Sequence, residues 1–381
     1  MHRIRPEYDM PPVQNPFNSQ EFLNTYWQQA PLLKRNALSL HDIITADELA
    51  GLATEAEVES RLISGSNETE QWTLQHGPFS DDVFQTLPER DWTLLVQAVD
   101  HWVPEVRQVL AQFSFLPRWR IDDIMISFAT DGGGVGPHFD QYDVFLVQLA
   151  GQREWKIGQM CDEDSDLVEN IPVKVLSAFE EQDAWVLDPG DVLYLPPGVA
   201  HWGTSLGDSM TLSVGFRAPS DSETIAELGH FMSSMVSDFQ RYGDAGISQR
   251  NQTPHAIEEE DIDRVQAIIK RLADDRSLVS EWFGQYVTEP KYDDMNVDTQ
   301  DWSDESFMKH WQHHPLYRNP GSRLAYREQT LFVDGQSYGV NATPEELHLI
   351  CDCDVLPYNH NVHIQRIALQ LLNAGALIFE D

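Results

Sequence analysis

Apolar positions recur at two different periods along this chain, and the changeovers divide it. Between about residues 19 and 102 spacings of three and four predict mostly helical segments, among them 47–60 and 92–102, with a short strand near 32–34. From 119 to 216 the pattern changes to short β runs punctuated by Gly and Pro, a density of turns that predicts a barrel or sandwich. Helical spacing returns after Pro219. Residues 222–241 place Ile225, Leu228, Met232, Met235 and Phe239 near one stripe, 261–272 do the same with Ile262, Val265, Ile268, Ile269 and Leu272, and a short helix follows at 277–287. Residues 289–304 are acidic, lack apolar periodicity and read as a linker. Beyond them a helix at 307–314, a strand pair within 324–340 turning on Asp334-Gly335, and a helix at 360–373 ending at Gly375 form a compact unit. Residues 1–16, charged and carrying Pro11, Pro12 and Pro16, read as a loose leader.

The β region holds the chemistry. His138-Phe139-Asp140 places an imidazole and a carboxylate two positions apart, so an extended strand points both to one side. The run 190–195 reads as a second strand, and Pro196-Pro197-Gly198 bends the chain just before His201. Two His and one carboxylate on one face of an octahedral ferrous ion leave three positions open for oxygen and a co-substrate. The chain holds 14 His, and a hydrogen-bonded structural role is the bland reading of any one of them. Context favours the metal: residues 131–137, Asp-Gly-Gly-Gly-Val-Gly-Pro, bring no bulky side chain near a backbone approaching the site. A phosphate cradle is disfavoured, because neither Gly-Lys-Ser/Thr nor a helix follows. The spacing from Gly190 through Pro196 and Gly198 to His201 also fits the second half of the cupin signature.

Charge narrows the partners. Among 381 residues, 25 Lys and Arg face 62 Asp and Glu, a formal charge of -37. That opposes direct nucleic-acid binding and suits a basic protein ligand, although a solvated acidic surface explains it as well. The length predicts two or three domains. Cys161, Cys351 and Cys353 make no disulfide framework and fit a reducing cytoplasm. No apolar run approaches a membrane span, and the N-terminal residues lack a signal-peptide core, so a soluble cytoplasmic protein is expected. His310, His313 and His314 stand close in sequence, but the end of a helix before Pro315 accounts for them.

Three stretches together resemble a known family: residues 124–128, the run from Gly132 through His138, Asp140, Gln141, Tyr142 and Asp143 to Phe145, and Val-Gly-Phe-Arg-Ala-Pro at 214–219. They resemble the bacterial ribosomal oxygenases of the JmjC, cupin-like class, strongly over 17–219 and in outline beyond. The resemblance implies an α+β chain with a double-stranded β-helix catalytic domain, buttressed by N-terminal helices, over 1–218. A helical dimerisation module at 219–293 and a winged-helix-like domain at 294–381 would follow. It implies iron(II) held by His138, Asp140 and His201, 2-oxoglutarate held at its distal carboxylate by Ser127 and Arg153, and hydroxylation of an arginine on a large-subunit ribosomal protein. A permanently charged guanidinium grips a carboxylate through two parallel hydrogen bonds. Alternatively, Arg153 and Lys156 are surface cations at a strand start, beside a tight turn at Ala150-Gly151-Gln152. Period two places Asp123 and Met125 on the face of Ser127, where a carboxylate and a thioether would suit an arginine side chain; a surface strand cap is the other reading of Asp123. Tyr142 and Asp143 are further substrate candidates. A homodimer and a basic ribosomal protein are the expected partners. The last helix carries only Arg366 as a cation, which favours a protein-binding or structural winged helix. A cupin dioxygenase or isomerase working without 2-oxoglutarate, or a non-catalytic binding cupin, remains open on the residues alone.

Overall fold

A computed structural model describes residues 19–40, 42–66, 71–245, 255–292 and 301–379. The expected leader and residues 293–300 of the expected linker lie outside them. Two compact units are present, 1–218 and 219–381.

The first unit contains α1 (Ser19–Thr25), β1 (Leu32–Lys34), α2 (Ala46–Leu52), β2 (Ser60–Ser66), β3 (Gln71–His76), α3 (Asp81–Gln85), β4 (Trp92–Val96), α4 (Val99–Trp102), α5 (Pro104–Gln108), β5 (Ile121–Ala129), β6 (Asp143–Met160), β7 (Asp183–Leu187), β8 (Val192–Leu195) and β9 (Val199–Phe216). One antiparallel sheet runs β1-β8-β6-β9-β5-β4-β2-β3, with β7 also paired to β6. The strands β6 and β9 pair along most of their length, with register shifts between Gln148 and Gln152 and between Ile157 and Met160. Bulges of this kind bend and twist long strands, as closure of a double-stranded β-helix requires. Gly151 sits at one of them with φ +61°, and a Cβ there would lie 2.0 Å from the carbonyl oxygen of Asp208. The tight turn expected at 150–152 is therefore a bulge inside one continuous strand.

Alternation along β6 separates two cores. Phe145 and Val147 join Phe22, Leu49, Val99, Phe113, Tyr194 and Phe216 beneath the helices, whereas Val144 and Leu146 join Trp155, Ile157, Leu193 and Leu195 on the other side. Two expected helices are corrected. The helix expected over 47–60 ends at Leu52, before a turn and β2, and 92–96 is the strand β4. Trp-Thr-Leu-Leu-Val in β4 is buried at four of its five positions between β2 and β5. A strand covered on both faces loses the alternation that marks strands in a sequence. The N-terminal segment thus supplies four strands of the sheet, β1 to β4, as well as helices.

The second unit contains α6 (Asp221–Met235), α7 (Glu259–Ala273), α8 (Arg276–Thr288), α9 (Asp304–Trp311), β10 (Leu316–Arg318), β11 (Leu324–Arg327), β12 (Thr330–Val333), β13 (Gln336–Gly339), α10 (Pro344–Asp352), β14 (Val355–Leu356), α11 (Val362–Asn373) and β15 (Leu377–Ile378). The expected strand pair is a three-stranded meander, β11-β12-β13, and α10 was not foreseen. The helix expected to reach residue 241 ends at Met235. Phe307, Trp311, Leu316, Leu347, Ile364 and Leu371 share one core, while Ile225, Met235, Ile262, Val265 and Ile269 on α6 and α7 are exposed.

Candidate metal centre and co-substrate cavity

The two histidines are placed by the backbone itself. His138 and His201 form an antiparallel bridge in which each N–H donates to the other's carbonyl, at 3.0 and 2.8 Å. Their rings lie 4.2 Å apart, and Asp140 Oδ2 is 3.6 Å from His201 Nε2. The turn before His201 is built for this. Gly198 has φ +82°, Val199 N donates to Pro196 O, and Gly198 N donates to the carbonyl of Asp140 at 2.7 Å. Proline followed by a residue of positive φ is the sequence of a type II turn. Further upstream, a Cβ on Gly134 would lie 2.3 Å from Gly203 O, so the glycine run lets this loop press on β9.

One ligand atom from each of His138, Asp140 and His201 lies within 4.8 Å of the others, a set that could hold a metal ion. Each imidazole is oriented: Nδ1 of His138 meets Gly136 O at 2.9 Å and Nδ1 of His201 meets Val199 O at 3.0 Å. A carbonyl only accepts, so Nδ1 carries the proton and Nε2 keeps its lone pair for a metal. Burial, reinforced by His138, pushes His201 down to about 4, which keeps this imidazole neutral. Two nitrogens and a carboxylate oxygen suit a ferrous ion.

A cavity of about 480 Å³ extends from this triad across the inner face of the sheet. Its floor includes Ser127 and Arg153, 3 % and 4 % exposed, with Arg153 Nη1 donating to Ser127 Oγ at 3.2 Å. Arg153 Nε and Nη2 are buried without a partner. Burial lowers the guanidinium pKa to about 10, yet it stays charged at neutral pH. A buried cation with two unused donors fits the distal carboxylate of 2-oxoglutarate. Arg153 is thus no surface residue, unlike Lys156, which pairs with Glu181 at 2.9 Å.

Asp123, Met125 and Tyr142 also line the cavity. Asp123 is 5 % exposed and accepts the Ala98 N–H at 2.9 Å, which removes the surface-cap reading. Tyr142 stands at the acidic rim, its phenol pKa raised by burial and by Asp140. Asp143 is corrected. It lies on the helical side of β6, fully buried, paired with Arg120 at 2.9 Å and accepting from Tyr194 Oη at 2.6 Å. Sequence reasoning missed the wall formed by β2 and β4, including Arg61, Thr93 and Gln97, because 92–102 reads as helix. No metal-ligating group forms around His310, His313 and His314 among the described residues. All three cysteines are free, and no described helix is long and apolar enough to cross a membrane.

The fold and this site define a JmjC-type oxygenase dependent on iron(II) and 2-oxoglutarate. Residues 108–224 match the JmjC domain, and residues 271–377 match the ROXA-like winged helix. The ribosomal protein uL16 3-hydroxylase of Escherichia coli is 38% identical over 280 residues, 72% of this chain and 73% of that protein. A probable ribosomal oxygenase of Haemophilus influenzae is 39% identical over 54% of this chain and half of its own length. The solved structure of E. coli YcfD aligns with a TM-score of 0.86 and 31% identity, covering 96% of this chain and 98% of YcfD. Another YcfD structure, in complex with cobalt and 2-oxoglutarate, aligns at 0.83 with 30% identity over 96% and 99% of the two chains. The chain belongs to the bacterial ribosomal oxygenase family.

Proposed function

We propose that this oxygenase hydroxylates an arginine side chain of a large-subunit ribosomal protein, the counterpart of uL16, with His138, Asp140 and His201 holding iron and Ser127 with Arg153 holding the co-substrate. The observation that carries the reading is Arg153: two unpaired buried donors beside Ser127, in the same cavity as the triad. Among the described residues nothing uses those donors, and a dicarboxylate reaching the metal supplies an acceptor for them. This disfavours a cupin that works without 2-oxoglutarate.

Iron, 2-oxoglutarate and oxygen together supply the oxidising chemistry that places a hydroxyl on an unactivated carbon and releases succinate and carbon dioxide. The chain binds and orients. The Nδ1 hydrogen bonds fix both imidazoles, and the pairing of Ser127 with Arg153 fixes the second anchor, so the co-substrate has one direction in the cavity. Met125 and Asp123 continue along β5 from Ser127, offering an apolar wall and then a carboxylate. That order suits the methylenes and the guanidinium of an arginine side chain. We assign Tyr142 to the rim of this subsite. The exposed stripe on α6 and α7 is a dimer contact in this reading, within a module at 219–293 ahead of a winged-helix-like domain at 294–381.

Mass spectrometry of ribosomal proteins from cells with and without the gene tests the target. One oxygen on an arginine of uL16 is expected to vanish in the deletion and to stay absent when only His138→Ala is supplied. Unmodified uL16 in the parent strain would overturn the target.

A further inference from the structure

The register of the sheet arranges the cavity lining in rows. Arg61 of β2 is paired with Leu95 of β4, Leu95 with Ser127 of β5, and Ser127 with Thr211 of β9. The next row holds Met125, Ser213 and Leu146, and Gln97, one residue past Val96, continues it on the β4 side. Arg61 therefore lies two strands from Ser127, roughly 10 Å across the sheet. It belongs to the flank near the edge strand β3, away from Arg153.

This flank carries polar atoms that nothing among the described residues satisfies. Arg61 Nε and Gln97 Oε1 are both buried and without a partner, although both residues line the cavity. Around them Ile63, Leu74 and Leu95 are apolar. Unpaired buried donors and acceptors are costly and rare in folded proteins. Moreover, a chain with 62 carboxylates leaves this guanidinium without a counter-ion among the described residues.

We propose that Arg61 and Gln97 form a docking station for the main chain of the substrate polypeptide, donating to one peptide carbonyl and accepting from a peptide N–H, while the side chain to be hydroxylated descends past Met125. One unpaired donor beside one unpaired acceptor complements an extended residue of a polypeptide, whose own N–H and C=O point to the same side. A carboxylate would satisfy only Arg61. The station rests on the protein-hydroxylase reading above, and it assigns β2 and β4 a role in specificity.

Arg61→Met and Gln97→Leu remove the polar atoms while keeping similar volume. Steady-state hydroxylation of purified uL16 is measured with iron saturating. Each variant should raise KM for uL16 about tenfold, the loss of one buried hydrogen bond with a charged or amide partner. KM for 2-oxoglutarate should move less than twofold, and 2-oxoglutarate should still raise Tm, which reports an intact fold. The double variant should cost less than the product of the two single effects, because both side chains hold the same extended residue. The effect of Arg61→Met should persist on a uL16 peptide whose acidic side chains are replaced by amides. If it disappears there, the partner is a carboxylate and the station is overturned; a tenfold rise in KM for 2-oxoglutarate would place Arg61 at the co-substrate and overturn it too. Parent enzyme that leaves uL16 unmodified would overturn the target named above, and the station read against it, whereas active parent with unaffected variants refutes the station alone.

Discussion

Arg153 is held at a cost that 2-oxoglutarate should lift. Its pKa falls from 12.5 to about 10 through burial alone, roughly 3 kcal/mol against the charged form. Because the folded pKa of this base is depressed, the penalty acts at every pH below about 10 and fades only above it. A bound carboxylate would engage Nε and Nη2, two charge-assisted hydrogen bonds worth roughly 1.5–3 kcal/mol each. Arg153→Met, which keeps the stem and removes the charge, should therefore raise KM for 2-oxoglutarate by about two to four orders of magnitude. Without co-substrate the same variant should unfold at an equal or higher temperature than the parent, since it deletes an unpaired buried cation. Succinate formation against 2-oxoglutarate concentration gives the first quantity. Thermal unfolding with and without 2-oxoglutarate gives the second, and the stabilisation by co-substrate should be lost. A KM change below tenfold, or a lower Tm together with loss of iron binding, would refute the reasoning.

Burial lifts Asp100 to about 7, with Asp123 adding to the rise and the Ile124 N–H opposing it. Such a raised carboxyl stabilises the fold below pH 4 and loses that contribution as pH climbs through 7. Asp100→Asn, which retains an acceptor for Ile124 N, should lower less than the parent in Tm between pH 5 and pH 8; identical slopes would show that Asp100 does not titrate in this range. A Cβ on Gly284 would lie 2.4 Å from the Phe332 ring, so Gly284→Ala should destabilise the second unit by about 1–3 kcal/mol. Calorimetry should show that transition moving down while KM for 2-oxoglutarate holds; an unmoved transition would mean that α8 and β12 have room to separate.

The candidate triad and the proposed Ser127–Arg153 pair could be named from the sequence because most of their members are tied to a local signal. The two-residue spacing of His138 and Asp140 pointed both to one side, although the segment forms an isolated bridge and no strand. His201 follows a Pro-Pro-Gly turn, Ser127 stands in a matching family stretch, and Arg153 was carried over from the resemblance. Asp123 was legible as an inward position through period two, but its burial was not, since that depends on the N–H of Ala98 arriving from another element. Arg61, Thr93 and Gln97 were invisible for a related reason. Arg61 and Thr93 belong to strands whose identity is set by neighbours on both sides, Gln97 directly follows one of them, and Trp92–Val96 shows no alternation once both its faces are covered. Asp143 was misdirected by its nearness to the ligands, because one step along a strand turns a side chain to the opposite face.

The bridge between His138 and His201 makes metal occupancy a gauge of assembly. The ligands come from opposite ends of a long excursion of chain, and each holds the other's backbone in place. A chain with its sheet partly open offers at most a fragment of the site, so iron discriminates between closed and open forms more sharply than any ligand that needs a single loop. Bound metal should therefore stabilise the closed sheet by mass action, over and above its part in the reaction.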